Sequence, residues 1–177
     1  MTQPILLQQH QLDLLWQIDR SEVIDTFYRM QNGKLQPYTV HYDLQGWDPH
    51  DRETYSTIHE HCFARGGRFL ALFEEKKILA AAVLDTLPRG PRQDLRQLLF
   101  FYVSASQRGK GQGKRLFSHC LHQASQDGAL GLYVSSIPSK NTVDFYLSQG
   151  CQLMTQPDTE LFVREPEDIH LACYYRE

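Results

Sequence analysis

Three glycines stand at alternate positions between a strand-like and a helix-like stretch of the chain: Gly109, Gly111 and Gly113. Residues 95–103 before them are rich in Leu, Phe and Tyr and predict a buried strand, whereas residues 114–127 keep their apolar side chains on one helical face. Glycine lets a backbone adopt positive φ and approach a ligand closely. The segment therefore predicts a strand–loop–helix unit that binds a ligand, within a sheet that carries helices.

The helix after this loop begins among positive charges. Arg108, Lys110, Lys114 and Arg115 surround its first turn, and no Ser, Thr or Asp lies next to the helix start to cap it. The first N–H groups of a helix have no partner within the helix, and each cation there opposes the helix dipole by roughly 0.3–1 kcal/mol. A multiply charged anion would satisfy the N–H groups and the cations together. A pyrophosphate fits that description.

Two common phosphate-binding loops do not fit these residues. A P-loop needs a first glycine where this chain has Arg108, and Ser or Thr where it has Arg115. The dinucleotide pattern G-x-G-x-x-G needs a third glycine where the two registers of this loop have Lys114 or Leu116. The chain also has too few parallel strand–helix–strand units for a dinucleotide fold. From the residues alone, the remaining alternative is a basic, flexible surface loop.

The other predicted elements are strands and helices in mixed order. Strands are predicted at residues 4–8, 68–73, 78–86, 95–103, 130–137, 151–155 and 168–176, with a strand or extended loop at 35–42 after an Asn-Gly turn signal. Helices are predicted at residues 12–30 with a break near 19–22, from 49 to the Gly-Gly pair at 66–67, at 114–127 and at 139–149. Residues 87–94, which include two prolines, are predicted as a loop. This order predicts an α+β (mixed α/β) fold with a single central, mostly antiparallel sheet of about six to seven strands flanked by helices.

The composition is that of one folded domain. The chain has 177 residues, 41% of them hydrophobic, and a net charge of −3, which suits a single domain and argues against general nucleic-acid binding. The first ten residues lack the regions of a signal peptide, and no stretch approaches the ~18 apolar residues of a membrane span. We therefore expect no membrane association and a cytoplasmic location, in which the four cysteines stay reduced.

The loop and its flanks follow the pattern of a strand and then V-x-x-x-x-R-G-x-G-x-G-x-x-L. The pattern is met by Val103, Arg108, Gly109, Gly111, Gly113 and Leu116. It resembles the acetyl-CoA loop of the GNAT superfamily of N-acetyltransferases, over residues 68–151, while the residues before 68 fit by element order alone. The resemblance implies an acyl-CoA N-acyltransferase fold as one domain over residues 1–177. Within it we expect a helical acceptor-side region at 1–67, an acetyl-CoA-binding core at 68–155 and a C-terminal strand in 156–177.

In that family the loop amides hold the CoA pyrophosphate, and the strand before the loop binds the pantetheine arm through its backbone. By the resemblance, the pyrophosphate role falls on Arg108, Gly109, Lys110, Gly111, Gln112, Gly113 and Lys114, and the pantetheine role on Phe101, Tyr102 and Val103. It also implies that residues 101–103 splay from residues 132–134 to admit the thioester, so that pantetheine acts as an added strand. The N–H of Val103 would then stabilise the thioester oxygen.

A second stretch, residues 141–150, resembles the N…F-Y-x-x-x-G-F helix of the same family. The resemblance implies that Tyr146 protonates the departing CoA thiolate, which a phenol can do, and that Asn141 contacts the cofactor. Asn141 lies five residues before the tyrosine rather than seven, where Ser139 stands, and Cys151 replaces the final phenylalanine. The shorter spacing affects the expected contact of Asn141 with the cofactor, whereas the replacement of phenylalanine by Cys151 affects packing.

The amine that receives the acetyl group has to lose a proton, since an alkylamine has a pKa near 10.4. Many relatives carry a glutamate on the strand before the loop, but residues 98–102 of this chain contain no acid. The alternatives are Glu22, Asp19, Asp85 or a chain of water molecules. We expect Glu22 to be the base, because the early helical region builds the acceptor side in this family.

Three functions are compatible with these features. The leading one is an N-acetyltransferase that uses acetyl-CoA, without a metal, and acetylates a primary amine of a small molecule or protein directly in a ternary complex. The main alternative is a non-catalytic module that binds or senses acyl-CoA, which the missing strand acid permits. A structural protein with a basic loop is the third. Residues 168–176 predict an edge strand, which a homodimer would cover, and the histidines lack metal-ligand spacing.

Overall fold

The structure, a computed structural model, describes residues 3–176. In that part of the chain the strands are β1 (Ile5–Leu6), β2 (Glu22–Gln31), β3 (Lys34–Leu44), β4 (Arg68–Glu74), β5 (Lys77–Arg89), β6 (Leu95–Val103), β7 (Gly131–Ser136), β8 (Gln152–Leu153) and β9 (Ile169–Tyr174). The helices are α1 (Pro49–Ala64), α2 (Gln112–Gln126), α3 (Lys140–Ser148) and α4 (Thr159–Arg164), with 3₁₀ helices at Gln9–Gln17 and Ala105–Gln107. No helix within residues 3–176 has the length and apolar character needed to span a membrane.

Seven strands form a mainly antiparallel sheet with the hydrogen-bonded order β1-β4-β5-β6-β7-β9-β8, and β2 and β3 form a two-stranded sheet. The strands β6 and β7 are parallel, and their ladder runs from Leu95↔Gly131 to Gln97↔Tyr133. Parallel neighbours need a crossover connection, which α2 supplies. The predicted mixed α/β class with one mostly antiparallel sheet is confirmed. Residues 101–103 were expected to splay from residues 132–134, but the ladder pairs Leu132 with Arg96 and Tyr133 with Gln97, so the expected partners are wrong.

The described chain divides into two compact units, and β5 and β6 have residues in both. The first unit contains residues 3–22, 44–86 and 98–120, and the second contains residues 23–43, 87–97 and 121–176. Each unit has a buried core of its own, one centred on the inner face of β4 and β5 and the other on β7 and β9.

In the first unit, α1 begins and ends where the sequence predicts. The side chain of Asp48 accepts a hydrogen bond from the N–H of His50, 2.8 Å, and Pro49 occupies the first helical position. After the helix, a Cβ at Gly67 would lie 2.8 Å from the carbonyl oxygen of Cys62. Only glycine allows the chain to turn this closely against the helix into β4.

In the second unit, β9 lies between β7 and β8, with the pairs Gly131↔Tyr174 to Ser136↔Ile169 on one side. Residues 168–176 were expected to form an edge strand, and that expectation is wrong. A short strand, β8, covers the other side of β9 because the chain returns to it from the end of α3. Because β9 is covered on both sides, it gives no reason to expect a homodimer.

The prediction of a helix over residues 12–30 holds in part for its first half, which is a 3₁₀ helix, and is wrong for its second half. Gln9–Gln17 form a 3₁₀ helix, and Glu22–Gln31 form β2, which pairs with β3 in a hairpin. Val23, Ile24 and Phe27 have helical spacing, but the chain reverses at Asn32 and Gly33, with φ of 52° and 73°. Two successive positive φ values are those of a tight hairpin turn, whose geometry aligns the flanking strands. The region before residue 68 is thus only partly helical.

Two smaller corrections concern the segments around the prolines and the C-terminus. β5 continues to Arg89, so the loop predicted over residues 87–94 is shorter than expected. The helix α4 was not predicted; its start is capped by the side chain of Asp158, which accepts from the N–H of Leu161, 3.2 Å. The N–H of Asp158 donates in turn to the buried hydroxyl of Tyr133, 2.8 Å, so a contact distant in sequence places this helix.

Candidate active site

The loop after β6 consists of a 3₁₀ turn and two glycines in the left-handed conformation. Residues 108–111 form a turn between Ala105–Gln107 and α2. Gly109 has a φ of 73° and Gly111 a φ of 80°, and a Cβ on either would meet nothing within 4 Å. An L side chain is strained at such φ, so the backbone conformation rather than lack of space requires glycine. The open space leaves this backbone accessible to a ligand.

The N-terminus of α2 has the properties of an anion site. Its first hydrogen bond runs from the N–H of Arg115 to the carbonyl of Gly111, 3.1 Å, so the N–H groups of residues 112–114 have no acceptor within the helix. The first turn contains no acidic residue, and Lys110 and Lys114 are exposed beside it. The helix begins at Gln112, two residues earlier than the sequence predicted, so Gln112 and Gly113 belong to its first turn.

Hydrogen bonds hold the loop to the segment between the N-terminal 3₁₀ helix and β2. Arg108 donates through Nε to the carbonyl of Val103, 3.2 Å, and through Nη1 to the carbonyl of Ser21, 2.9 Å. The N–H of Ala105 donates to the carbonyl of Asp19, 2.8 Å. These bonds hold the loop in place, and the guanidinium of Arg108 donates its hydrogen bonds to backbone carbonyl groups of the protein itself.

The aromatic residues of β6 alternate between its two faces, as the period of a strand requires. The ring of Phe101 contacts Phe117 of α2 at a centroid distance of 6.1 Å. On the other face, Phe100 and Tyr102 contact Trp47 at 5.7 and 4.9 Å. The predicted alternation is present, and Tyr102 stands at the end of the strand where a catalytic acid was sought.

A polar cluster surrounds Tyr102, and no motif in the sequence indicates it. Arg20 donates through Nε to the carbonyl of Gly46, 2.6 Å, and through Nη2 to Asp51, 3.0 Å. Its guanidinium carbon lies 4.4 Å from the ring centre of Trp47, a cation–π contact. We refer to Arg20, Trp47, Asp51 and Tyr102 as the Tyr102 cluster. Its members come from three separate segments, so no short motif could have revealed it.

The electrostatics of this cluster include Glu22, the predicted base. Burial raises the pKa of the Tyr102 hydroxyl, the charge and hydrogen bond of Arg20 lower it, and the carboxylates of Asp51 and Glu22 raise it further, with a net increase. The charge of Glu22 is the smallest of these contributions at the end of β6. Glu22 lies at the first position of β2 rather than on a helix.

The two other acids that the sequence offered as bases have structural partners. Asp19 accepts from the N–H of Ser21, 2.9 Å, and the hydrogen bonds of Ser21 lower the pKa of its carboxyl, which makes it a weaker base. Asp85 is buried and receives two hydrogen bonds from Arg65, at 2.9 and 2.7 Å. A bidentate pair of this kind accounts for a buried carboxylate without a catalytic role.

Tyr146 and Asn141 lie on α3, in the second unit. Tyr146 is 5% exposed, and its carbonyl accepts the N–H of Cys151, 3.1 Å. Val143, one turn earlier on the same face, is also buried, whereas Asn141 is exposed in the first turn. Ser139 occupies the N-cap position as predicted, but its side chain makes no capping hydrogen bond. The roles of Tyr146 and Asn141 toward the cofactor stay predictions.

The strand β2 contacts the start of α3 within the same unit. The N–H of Tyr28 donates to the carbonyl of Pro138, 2.7 Å, and its hydroxyl donates to Asp144, 2.8 Å. Lys140 also pairs with Asp144. Burial raises the pKa of Asp144, but the hydrogen bonds of Lys140 and Tyr28 outweigh burial and lower it overall. These contacts support the helix that carries Tyr146, and the sequence missed them because residues 23–30 were taken as helical.

Within residues 3–176, no group of three or more His, Cys, Asp and Glu side chains is arranged to hold a metal ion. The buried His59 stacks on Trp16 at 5.6 Å and contacts Phe100 at 5.3 Å. Burial lowers its pKa to about 4, so His59 is a neutral core residue at ordinary pH.

A scan against models of protein families matches residues 27–151 to the acetyltransferase (GNAT) family. The chain belongs to the GNAT family. It is accordingly an acyl-CoA-dependent N-acetyltransferase with acetyl-CoA as its cosubstrate, as the loop pattern predicted. A search of curated proteins found no significant match.

Solved structures share the fold of this GNAT chain at low sequence identity. A nourseothricin acetyltransferase is 16% identical, with a TM-score of 0.69 and coverage of 97% of each chain. A protein assigned as a streptothricin acetyltransferase from Bacillus anthracis, solved with acetyl coenzyme A, is 13% identical, with a TM-score of 0.72 and coverage of 99% of each chain. The ribosomal-protein-S18-alanine N-acetyltransferase from Escherichia coli is 13% identical, with a TM-score of 0.60 over 100% of this chain and 97% of that one.

The GNAT match includes β6, the glycine loop and Tyr146, but it begins after Glu22. The loop residues therefore lie within the matched range, and their roles toward the cofactor stay predictions. Arg20 and Glu22 lie outside the matched range, and the role of Glu22 also stays a prediction.

Proposed function

We propose that this GNAT enzyme acetylates a primary amine of a small molecule or a protein by direct transfer in a ternary complex. One observation carries the proposal: the N–H groups of residues 112–114 have no acceptor within α2, and the two left-handed glycines of the preceding loop leave its backbone open. The pyrophosphate of acetyl-CoA supplies the acceptors and the negative charge that this helix start lacks. Lys110 and Lys114 add positive charge at the same end.

The pantetheine arm would follow the end of β6, with its amides paired to the backbone of Phe101, Tyr102 and Val103. This is strand addition, in which main-chain hydrogen bonds hold an extended ligand. In this arrangement the thioester lies near the end of the strand, and the N–H of Val103 donates to the carbonyl oxygen as charge develops on it. Asn141 is proposed as a further cofactor contact.

The reaction then needs two protons removed from the ammonium nitrogen and one supplied to the leaving sulfur. The ammonium group gives one proton to Glu22, directly or through water, and the neutral amine attacks the thioester carbonyl to form a C–N bond; the nitrogen of the adduct then loses its second proton to solvent. The C–S bond breaks, and Tyr146 donates a proton to the leaving sulfur. The phenolate of Tyr146 regains a proton from solvent, and Glu22 loses its proton to solvent, so the enzyme is restored.

The amine would approach on the face of β6 that carries the Tyr102 cluster. The carboxylates of Glu22 and Asp51 act on this end of the strand, and carboxylates attract the protonated form of an amine before transfer. Solved relatives in fold include enzymes named for an antibiotic and for a ribosomal protein, so a fold of this kind accommodates acceptors of both sizes. We propose a cationic amine without assigning its size.

Calorimetry with acetyl-CoA, followed by a thiol-release assay over polyamines, amine antibiotics and lysine peptides, tests the proposal. We expect acetyl-CoA binding and amine-dependent release of CoA. Binding without release on any of these amines would contradict the proposed transfer to a primary amine. Absence of binding would overturn the loop assignment and the activity together.

A further inference from the structure

Two cysteines face each other across the antiparallel pair of β8 and β9. The register of this pair places Gln152 opposite Ala172. One step back along the same ladder places Cys151 opposite Cys173. The two side chains project to the same face of the sheet, because directly opposed residues share a face.

The position on the ladder suits a bond between the two sulfurs. The N–H of Met154 donates to the carbonyl of His170, 2.9 Å, so this is a hydrogen-bonded pair, and such pairs recur at every second residue. Cys151 and Cys173 therefore form a non-hydrogen-bonded pair. The Cα atoms of such a pair are about 4.5 Å apart, within the range of about 4.4–6.8 Å that a disulfide spans.

The two thiols already interact. A hydrogen bond between them raises the pKa of Cys151 and lowers the pKa of Cys173. The Sγ of Cys173 also lies 3.7 Å from the carbonyl oxygen of Gln149. By contrast, burial raises the pKa of Cys62 to about 12 and raises that of Cys120 as well. A thiolate is the reactive form in disulfide exchange, so the geometry and the chemistry distinguish this pair from the other two cysteines.

Access to the pair depends on local opening of β8. Both sulfur-bearing residues are buried, with 4% and 3% of their surface exposed. However, β8 has two residues and stands at the end of the strand order, and Gly150 and Gln152 beside Cys151 are exposed. Short edge strands open at low free-energy cost compared with the core.

We infer that Cys151 and Cys173 are an oxidation site, at which a small-molecule disulfide such as oxidised glutathione produces a disulfide bond between β8 and β9. The Cys173 thiol loses its proton to solvent, and the thiolate attacks one sulfur of the small disulfide, releasing one thiolate. Cys151, after loss of its proton, attacks the Cys173 sulfur of the mixed disulfide and displaces the second thiolate. Both cysteines are oxidised, and the small disulfide is reduced to two thiols.

The bond would hold the end of α3 to the sheet. The N–H of Cys151 donates to the carbonyl of Tyr146, 3.1 Å, so Cys151 is attached to the last turn of that helix. A bond to Cys173 restricts the unfolded chain and stabilises the folded one. This inference depends on the geometry of β8 and β9 and is independent of the proposed acetylation mechanism.

The sequence makes the test direct, because trypsin places each cysteine in a separate peptide. The peptides are residues 53–65, 116–140, 141–164 and 165–176, with Cys62, Cys120, Cys151 and Cys173 respectively. The full chain is equilibrated with oxidised and reduced glutathione, quenched in acid, alkylated and digested. We expect the peptides 141–164 and 165–176 to be linked, with loss of two hydrogen atoms, and dithiothreitol to separate them. We also expect the melting temperature to rise by roughly 5 °C on oxidation.

Matched variants separate this pair from the other cysteines. Cys151→Ala should abolish the linked peptides and the rise in melting temperature, whereas Cys62→Ala should keep both. The inference is overturned if the native chain, after oxidation, has Cys151 and Cys173 free or only glutathionylated, or if the linked peptides contain Cys62 or Cys120. Because peptide mapping of the native chain decides the matter, a variant that fails to fold does not prevent a result.

Discussion

The glycine loop and the Tyr102 cluster are built in opposite ways. The loop lies within one short segment and offers backbone N–H groups, whose positions depend on Gly109 and Gly111. The Tyr102 cluster takes its side chains from three segments, and its charged groups are the side chains of Arg20 and Asp51. Backbone donors keep their chemistry when neighbouring side chains change, whereas a side-chain site changes with each substitution. We therefore expect donor binding to depend on a few glycines and acceptor choice to depend on the cluster.

The largest expected effect comes from Gly111→Glu. The variant combines strain at positive φ with a negative charge beside the proposed pyrophosphate, and we expect acetyl-CoA affinity to fall by at least about 100-fold. Gly128→Glu is the matched control, since Gly128 also has positive φ, 85°, with open space around it. Calorimetry should show nearly native affinity for the control. Equal losses in both variants would mean that strain, not the loop, controls binding.

A second effect separates chemistry from binding. In Tyr146→Phe we expect kcat to fall by roughly 10–100-fold, because general acid catalysis by a positioned side chain contributes about that much or more. The affinity for acetyl-CoA should stay within about twofold of native. Unchanged turnover would remove the tyrosine from the mechanism and place all of the chemistry at the end of β6.

A third, smaller effect tests the acceptor side. Arg20→Gln removes the ion pair with Asp51 and the contact with Trp47, and we expect kcat/KM for the amine to change by roughly tenfold while acetyl-CoA affinity is kept. Arg92→Gln is the control, because it removes a more exposed ion pair, with Asp94. If Arg20→Gln weakened the binding of acetyl-CoA as much as it lowered kcat/KM for the amine, the proposed division between the two regions would be wrong.

The smallest effect concerns the charges of the loop. Lys110→Gln should weaken acetyl-CoA binding by roughly two- to threefold at low salt, and by less at high salt, because exposed charges are screened. Lys76→Gln, in the exposed turn between β4 and β5, should leave binding unchanged. If the loss of acetyl-CoA affinity did not depend on salt, Lys110 would act through a direct hydrogen bond to the ligand and not through long-range electrostatic attraction.

The elements with local sequence signals were predicted correctly, and those that depend on distant contacts were not. β6 has the predicted bounds, and the loop and α2 follow it, because glycine spacing and the helical apolar face are local signals. The hairpin of β2 and β3 was missed: Val23, Ile24 and Phe27 are spaced as on a helix, and the bridge from Phe27 to Ser139 that fixes the strand is far away in sequence. Contacts of this range override local propensity.

The candidate site divides in the same manner. The loop residues could be proposed from the sequence because their chemistry lies in one stretch of chain, whereas Glu22 was proposed as part of a helix and lies in a strand. The Tyr102 cluster could not be predicted, because Arg20 and Asp51 acquire a common neighbour only when β6 is formed beside them. Side chains gathered by tertiary packing carry no periodic or motif signal.

Arg108 connects the two regions through a pair of carbonyl groups, that of Val103 in β6 and that of Ser21 immediately before Glu22. Any ligand that restrains this guanidinium also restrains the residue next to the proposed base. Under thermodynamic linkage such a restraint is reciprocal. The factor by which bound acetyl-CoA increases the affinity for the amine equals the factor by which the bound amine increases the affinity for acetyl-CoA. Cooperativity between the two substrates would then be a property of one side chain, measurable as the coupling lost when that arginine is removed.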